Sequence, residues 1–247
     1  MHALEVKPLH GSNNYKQSRH LQLTPNPGRY ALIGDTGTGK SAAAAKIFDG
    51  LFSICSRWHL IASTIETDGS FSEMKNKIIN GLKEQGVDWA DPQETPFHES
   101  IDALKQIIAQ CRRRTLQAKE EEKEFLPQTF LYLDDMITWT RHSTVLDHLL
   151  ATSRHIGLNI VICMQQYVGL STLQRKSMSH IAIFKLLSDE KDFIFETLVG
   201  KKGKERERFE EAYRISTTEP HGFLFIRLRA KDKSEQLWST FTKRILD

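Results

Sequence analysis

The chain has 247 residues, 39% hydrophobic and 26% charged, a balance that fits one soluble globular α/β domain and excludes collagen, continuous coiled coil and wholesale disorder. Lys plus Arg number 34 against 31 Asp plus Glu, and the net charge of +3 is too weak to demand a nucleic-acid partner; only a local patch can supply one. The three cysteines, Cys55, Cys111 and Cys163, are far apart and form no CxxC pair, which argues against a disulfide framework or a zinc site and fits a reducing compartment. No apolar run approaches the ~18 residues of a membrane span. Glu5, Lys7 and Pro8 stand where a secretory leader needs an apolar core, so a cytosolic location is expected.

Residues 1–28 are polar and turn-rich and read as an N-terminal arm, with a short edge strand near Leu21 to Leu23. From Arg29 onward short apolar runs alternate with helical patterns, and 29–247 read as a single domain. Tyr30 to Ile33 is predicted as a strand, Lys40 to Phe52 as a helix and Trp58 to Ala62 as a second strand. A loop from Gly86 to Pro96 precedes a long predicted helix over His98 to Lys123. Strand Phe130 to Leu133, helix Thr144 to His155 and strand Leu158 to Met164 follow, then strands Ile181 to Leu187 and Gly222 to Leu228. Near-continuous apolar strands alternating with helices predict a mainly parallel sheet with helices on both faces.

Gly34-Asp35-Thr36-Gly37-Thr38-Gly39-Lys40-Ser41 matches GxxxxGK(S/T), and lies where its mechanism requires, after a strand and before a helix. An ordinary chain of this length shows the pattern by chance about once in a hundred. Its glycines let successive amides turn into one concavity, and the helix that follows adds its positive end. Lys40 is expected to reach the β- and γ-phosphates of a nucleotide, ATP or GTP, and the Ser41 hydroxyl to hold Mg2+.

Such a site needs acid at the end of a buried strand, and Phe130-Leu131-Tyr132-Leu133-Asp134-Asp135 supplies it. Asp134 is expected to bind Mg2+, directly or through water, and Asp135 to orient or deprotonate the attacking water. Both carboxylates also suit the cap of a following helix.

A third block, Arg154-His155-Ile156-Gly157-Leu158-Asn159-Ile160-Val161-Ile162-Cys163-Met164-Gln165, runs Arg, Gly, apolar strand, Gln. With the two motifs before it, this resembles the FtsK–HerA superfamily of P-loop ATPases, and within it the genome-packaging ATPases of poxvirus type, over about Arg29 to Leu187. The resemblance implies the additional-strand core, in which the Gln-bearing strand lies beside the one ending in Asp134. It implies that Gln165 is a polar sensor of the γ-phosphate, with Gln166 equally plausible by composition. It implies that Arg154 is an arginine finger presented to a neighbour's nucleotide, with Arg141 and Arg175 as alternatives. Many members end the second motif in Asp-Glu rather than Asp134-Asp135, so the shorter side chain leaves the catalytic base open.

The implied activity is Mg2+-dependent ATP hydrolysis that moves double-stranded DNA into a preformed capsid. A homo-oligomeric ring, a capsid or portal vertex protein as partner, and the cytoplasm of an infected cell, with transient presence at the virion vertex, go with it. Lys201-Lys202-Gly203-Lys204-Glu205-Arg206-Glu207-Arg208 and Gln174-Arg175-Lys176 are the candidate DNA patches, and a solvated helix start explains the first equally well. Other readings remain: an AAA+ helicase loader, a small-molecule kinase, or an assembly protein that binds nucleotide as a switch with little turnover.

Overall fold

The computed structural model describes residues 14–91, 94–135 and 143–245. Its element order is β1 (Arg29–Ile33), α1 (Lys40–Phe52), β2 (Arg57–Ala62), α2 (Ser72–Glu84), β3 (Phe97–His98), α3 (Ala103–Glu120) and β4 (Thr129–Asp134). Then come α4 (Thr144–Thr152), β5 (Leu158–Met164), α5 (Thr172–Ser177), β6 (His180–Ile183), α6 (Ser188–Val199), α7 (Lys204–Ser216) and strands β7 (Leu224–Arg227), β8 (Leu237–Ser239) and β9 (Lys243–Arg244).

One sheet carries all nine of these strands in the order β3-β2-β4-β5-β1-β6-β7-β8-β9. The first six are parallel to one another, and β7, β8 and β9 continue the sheet antiparallel. Side chains alternate across each strand, so each face needs its own cover. Tyr30 and Leu32 pack with Ala44, Ile47 and Phe48 of α1 and Ile78 of α2. Ala31 and Ile33 pack on the other face with Leu104 of α3, Leu149 of α4 and Phe195 of α6. Strands β1 and β5 are buried throughout, which is why they read as near-continuous apolar runs, broken only by Arg29 and Asn159 close to their starts.

Strands β1, β2, β4 and β5 and helix α1 match their expected bounds closely, β3, β8 and β9 were not expected, and other segments differ. Leu21–Leu23 is one turn of 3-10 helix, not an edge strand, because the segment is folded back onto the molecule. The Asn26 amide reaches Asn159, Asn159 donates to Gln128, and Gln128 donates to the Lys16 carbonyl at 2.8 Å. This buried polar network ties the segment before β1 to the starts of β4 and β5. The long helix begins at Ala103, not His98, since Phe97 and His98 are taken up by pairing with Leu60 and Ile61. The strand expected over Ile181 to Leu187 stops at Ile183. Cys55, Cys111 and Cys163 are buried thiols.

The glycine between Arg154 and Gln165 has a physical reason. Gly157 has φ of 68°, and a Cβ there would lie 2.2 Å from the Pro127 carbonyl oxygen. That oxygen is backbone and cannot swing aside, so only glycine lets the chain enter β5 next to β4. Gly157→Ala is expected to cost about 2–4 kcal/mol, read as a lower urea midpoint with unchanged slope.

Candidate functional site

Strand register assembles the site. Ile33 at the end of β1 pairs with Met164 at the end of β5, and Cys163 pairs with Asp134 at the end of β4. The next residues, Gly34 and Gln165, therefore leave the sheet at the same edge as Asp134. The Gly34 amide continues the ladder by donating to Met164 O at 3.2 Å. Since β5 lies between β1 and β4, the glycine loop and the acids flank the glutamine, as the resemblance implied.

The loop is built for close approach. A Cβ on Gly34 would meet Phe184 Cβ at 2.6 Å and Thr38 Oγ1 at 2.7 Å. Gly37 and Gly39 take φ of 78° and 103°, the left-handed conformations that glycine adopts without strain. Gly39 is the N-cap of α1, so Lys40 and Ser41 open the helix and its first amides face the loop. Asp35, Thr36 and Gly37 are exposed at the tip. Thr38 Oγ1 donates to Asp35 O at 2.8 Å and steadies the turn. Lys40 Nζ donates to Gly34 O at 2.6 Å and Asp35 O at 2.8 Å. The ammonium is thus folded over the loop's own carbonyls.

Opposite the loop, burial pushes the Asp134 carboxyl up to about 6, helped by the charges of Asp135 and Asp68 and opposed by Tyr132 and Lys40. The Tyr132 hydroxyl is buried among Ser41, Asp134 and Cys163 without completing a well-formed hydrogen bond to any of them. A hydroxyl and a desolvated carboxylate facing one another form a hard oxygen donor set suited to Mg2+. A divalent ion would relieve the very cost that raises the Asp134 carboxyl.

Asp135 has φ of 46°, rare for a residue with a side chain, and its amide donates to Cys163 O at 3.3 Å. That turn sets its carboxylate beside Gln165, whose Nε2 lies 3.4 Å from Oδ1 and 3.3 Å from Oδ2. Gln165, not the exposed Gln166, therefore reaches the acid. The segment after Asp135, including Arg141 and His142, lies outside the described residues.

Arg154 stands apart from this cluster. It lies in the turn Ser153–His155, before β5 begins, whereas Gln165 follows where β5 ends. Seven residues of strand span about 23 Å, beyond the reach of an arginine side chain, so Arg154 does not serve the loop of its own chain. It is exposed. Arg175, the alternative, donates to Leu170 O at 2.7 Å and packs over Tyr167 and Phe193.

The candidate DNA patches are partly consumed by internal pairing. Arg206 is buried against Asp192 and Glu210, and Arg208 is held by Gln236 and the Lys233 carbonyl. Lys201 lies 3.3 Å from Glu196. Gln174 is buried in the capping box of α5, while Lys176 is exposed. Lys202 and Lys204 remain exposed.

Sequence reasoning passed over three neighbours of the site. Tyr132 was part of the apolar strand pattern, Asp68 caps a turn after β2, and His221 touches Gly39 from the far end of the chain. Only an acid after the second strand hinted at Asp68; nothing in the pattern signalled His221.

Fold and site together define a P-loop ATPase of the additional-strand type. The family described as Poxvirus A32 protein matches residues 15–206, and the chain belongs to that family. No curated protein sequence matches at a significant level. Among solved structures, the chain is similar to the genome packaging NTPase B204 from Sulfolobus turreted icosahedral virus 2 in complex with ATP-gammaS, with 16% identity and a TM-score of 0.58 over 90% of this chain and 100% of that one. It is also similar to EssC (ATPases 2 and 3) from Geobacillus thermodenitrificans, with 12% identity and a TM-score of 0.55 over 87% of this chain and 39% of that one. The pCW3 conjugation coupling protein TcpA is 14% identical, with a TM-score of 0.53 over 87% of this chain and 59% of that one. Identities this low establish a shared fold. Among the described residues no helix is long and apolar enough to cross a membrane.

The raised Asp134 carboxyl carries a stability consequence. Between its ordinary value of 3.8 and about 6 the folded chain holds a proton that the unfolded chain has lost. Folding stability therefore falls as pH rises through that window. Asp134→Asn is expected to stabilise the nucleotide-free protein by about 1–2 kcal/mol at pH 7–8, with the gain vanishing below about pH 4 in thermal melts. In the wild type, affinity for metal-bound nucleotide is expected to fall as pH drops through about 6.

Proposed function

We propose that the protein is an Mg2+-dependent motor that packages a viral genome, moving double-stranded DNA into a preformed capsid as a homo-oligomeric ring. The observation that carries this reading is the split of the site. The phosphate loop, Asp134 and the Asp135–Gln165 pair share one edge of the sheet, while Arg154 lies a full strand length away. A ring brings one subunit's Arg154 to the next subunit's nucleotide.

Within one subunit the amides of 34–41 and the Lys40 ammonium bind the phosphates of ATP. Ser41 and Asp134 would hold the metal, which would supply charge to neutralise the phosphates. Gln165 orients the Asp135 carboxylate, and Asp135 accepts the proton of the water that attacks the γ-phosphorus; the β–γ bridging bond breaks to give ADP and phosphate. Gln165 can donate to phosphate and accept from water at once, so it responds to the loss of the γ-phosphate. The neighbour's Arg154 spreads its charge over the transferring phosphoryl oxygens. Lys176, Lys202 and Lys204 offer charge for a DNA backbone read without regard to sequence. The work takes place at the assembly site in the cytoplasm of the infected cell, with a capsid or portal vertex protein as partner.

The test is hydrolysis with and without double-stranded DNA, together with mass measurement in the presence of an ATP analogue. Wild type is expected to form rings and to be stimulated by DNA, and Asp135→Asn to lose turnover by about 10²–10³-fold. Lys40→Ala and Arg154→Ala are each expected to be inactive alone, yet active when mixed, because some interfaces then pair an intact loop with an intact arginine. Mixing that restores nothing removes the trans role of Arg154. Tight ATP binding without turnover, in any assembly state, favours a nucleotide switch instead.

A further inference from the structure

The edge of the sheet where β1, β5 and β6 begin lies opposite the phosphate loop and gathers positive charge. Arg29 opens β1 and is only 6% exposed. Its Nη1 donates to Leu150 O at 3.2 Å, and Ser153 Oγ, one residue before Arg154, donates to the same carbonyl at 3.3 Å. On its other side the Arg29 amide donates to Ser179 Oγ at 2.7 Å, and Ser179 O accepts from the Leu228 amide at 2.9 Å. Arg229 comes next, with Nη2 3.5 Å from Lys176 O. Arg29 is thus tied on one side to the turn that carries Arg154 and on the other to the turn that carries Arg229, and both of those arginines are exposed.

No acid balances this group. Of the three arginines buried among the described residues, Arg206 meets Asp192 and Glu210, and Arg227 meets Glu235 at 2.9 Å. Arg29 meets no described carboxylate, and its Nε has no hydrogen-bond partner. Burial pulls the Arg29 guanidinium down to about 10, helped by the charges of Arg154 and Arg229. Those two arginines form no ion pair with a described residue either. A buried cation without a counter-ion is costly, and an anion settling on the exposed pair in front of it relieves the cost. Planar guanidinium forks match phosphoryl oxygens. A nucleotide concentrates its phosphate charge at one point, as this cluster concentrates its arginines, whereas a duplex spreads charge along its backbone.

We propose that Arg229 joins Arg154 on the phosphates of the neighbouring subunit's nucleotide, with the buried Arg29 charge behind both. The proposal rests on the ring in which Arg154 acts in trans and adds a second residue to that contact. Arg229 lies beyond residues 15–206, the span matched by the family. Arg29 is a positioning residue: it is buried, and it holds Leu150 O beside the turn of Arg154.

Turnover and duplex binding of Arg229→Gln and Arg229→Lys test this. Arg229→Gln is expected to lower ATP turnover by about tenfold or more, and Arg229→Lys to keep part of the rate. Affinity for double-stranded DNA is expected to stay at the wild-type level in both. Mixed with Lys40→Ala, Arg229→Gln is expected to recover turnover, because some interfaces then pair an intact loop with an intact Arg229. Mixed with Arg154→Ala it is expected to stay low, because every donating edge then lacks one arginine. Wild-type turnover in Arg229→Gln overturns the proposal and leaves the ring standing. So does a failure to recover with Lys40→Ala where Lys40→Ala and Arg154→Ala restore one another. Loss of DNA affinity in step with turnover overturns it in favour of a DNA contact. If Lys40→Ala and Arg154→Ala do not restore one another, the ring reading falls and the role of Arg229 with it.

Discussion

Three parallel strand ends, β4, β5 and β1, stop level with one another, and the chemistry of this protein depends on that. The bond from the Gly34 amide to Met164 O fixes where the glycine loop leaves the sheet relative to Gln165. The pairing of Asp134 with Cys163 fixes the acid on the other side. A slip of one residue in either pairing would turn the carboxylate or the carboxamide onto the opposite face. Burial on both faces of β1 and β5 makes such a slip expensive, so the apolar core is also the instrument that aligns the site.

The same burial sets the electrostatics. Asp134 sits where solvent helps it little, and its neighbours Asp135 and Asp68 repel its charge. Lys40 meanwhile spends its hydrogen bonds on the loop's own carbonyls. Both groups are held short of their best partners, one wanting a cation and the other an anion. On the proposed function, a metal-bound triphosphate would satisfy the two at once without any large rearrangement of the sheet.

Much of this was legible in the residues. The loop and α1 were visible because glycines, Lys40 and an alanine-rich helix occur in an order that makes a phosphate cradle. Strands β4 and β5 were visible because strands buried on both faces are mostly apolar, the buried Thr129 and Asn159 near their starts being held by hydrogen bonds. Helices α2 and α6 went unread and α7 was seen only as a possible helix start, because the charged faces of α2 and α7 masked the stripe of Met74, Ile78 and Leu82 and that of Phe209 and Ala212. The basic run 201–208 looked like a surface patch because sequence shows charge without its partners; Asp192 reaches Arg206 from fourteen residues away. His221 had no local pattern at all, since what gives it meaning is the distance it travels across the fold.

Both rims of the sheet end in two-residue strands, Phe97–His98 at one side and the exposed Lys243–Arg244 at the other. A neighbouring molecule finds almost no open ladder to extend there, and at one rim it meets two positive charges. Association by shared backbone pairing is thereby discouraged at both rims of the described sheet, and any partner there is left to side-chain contacts.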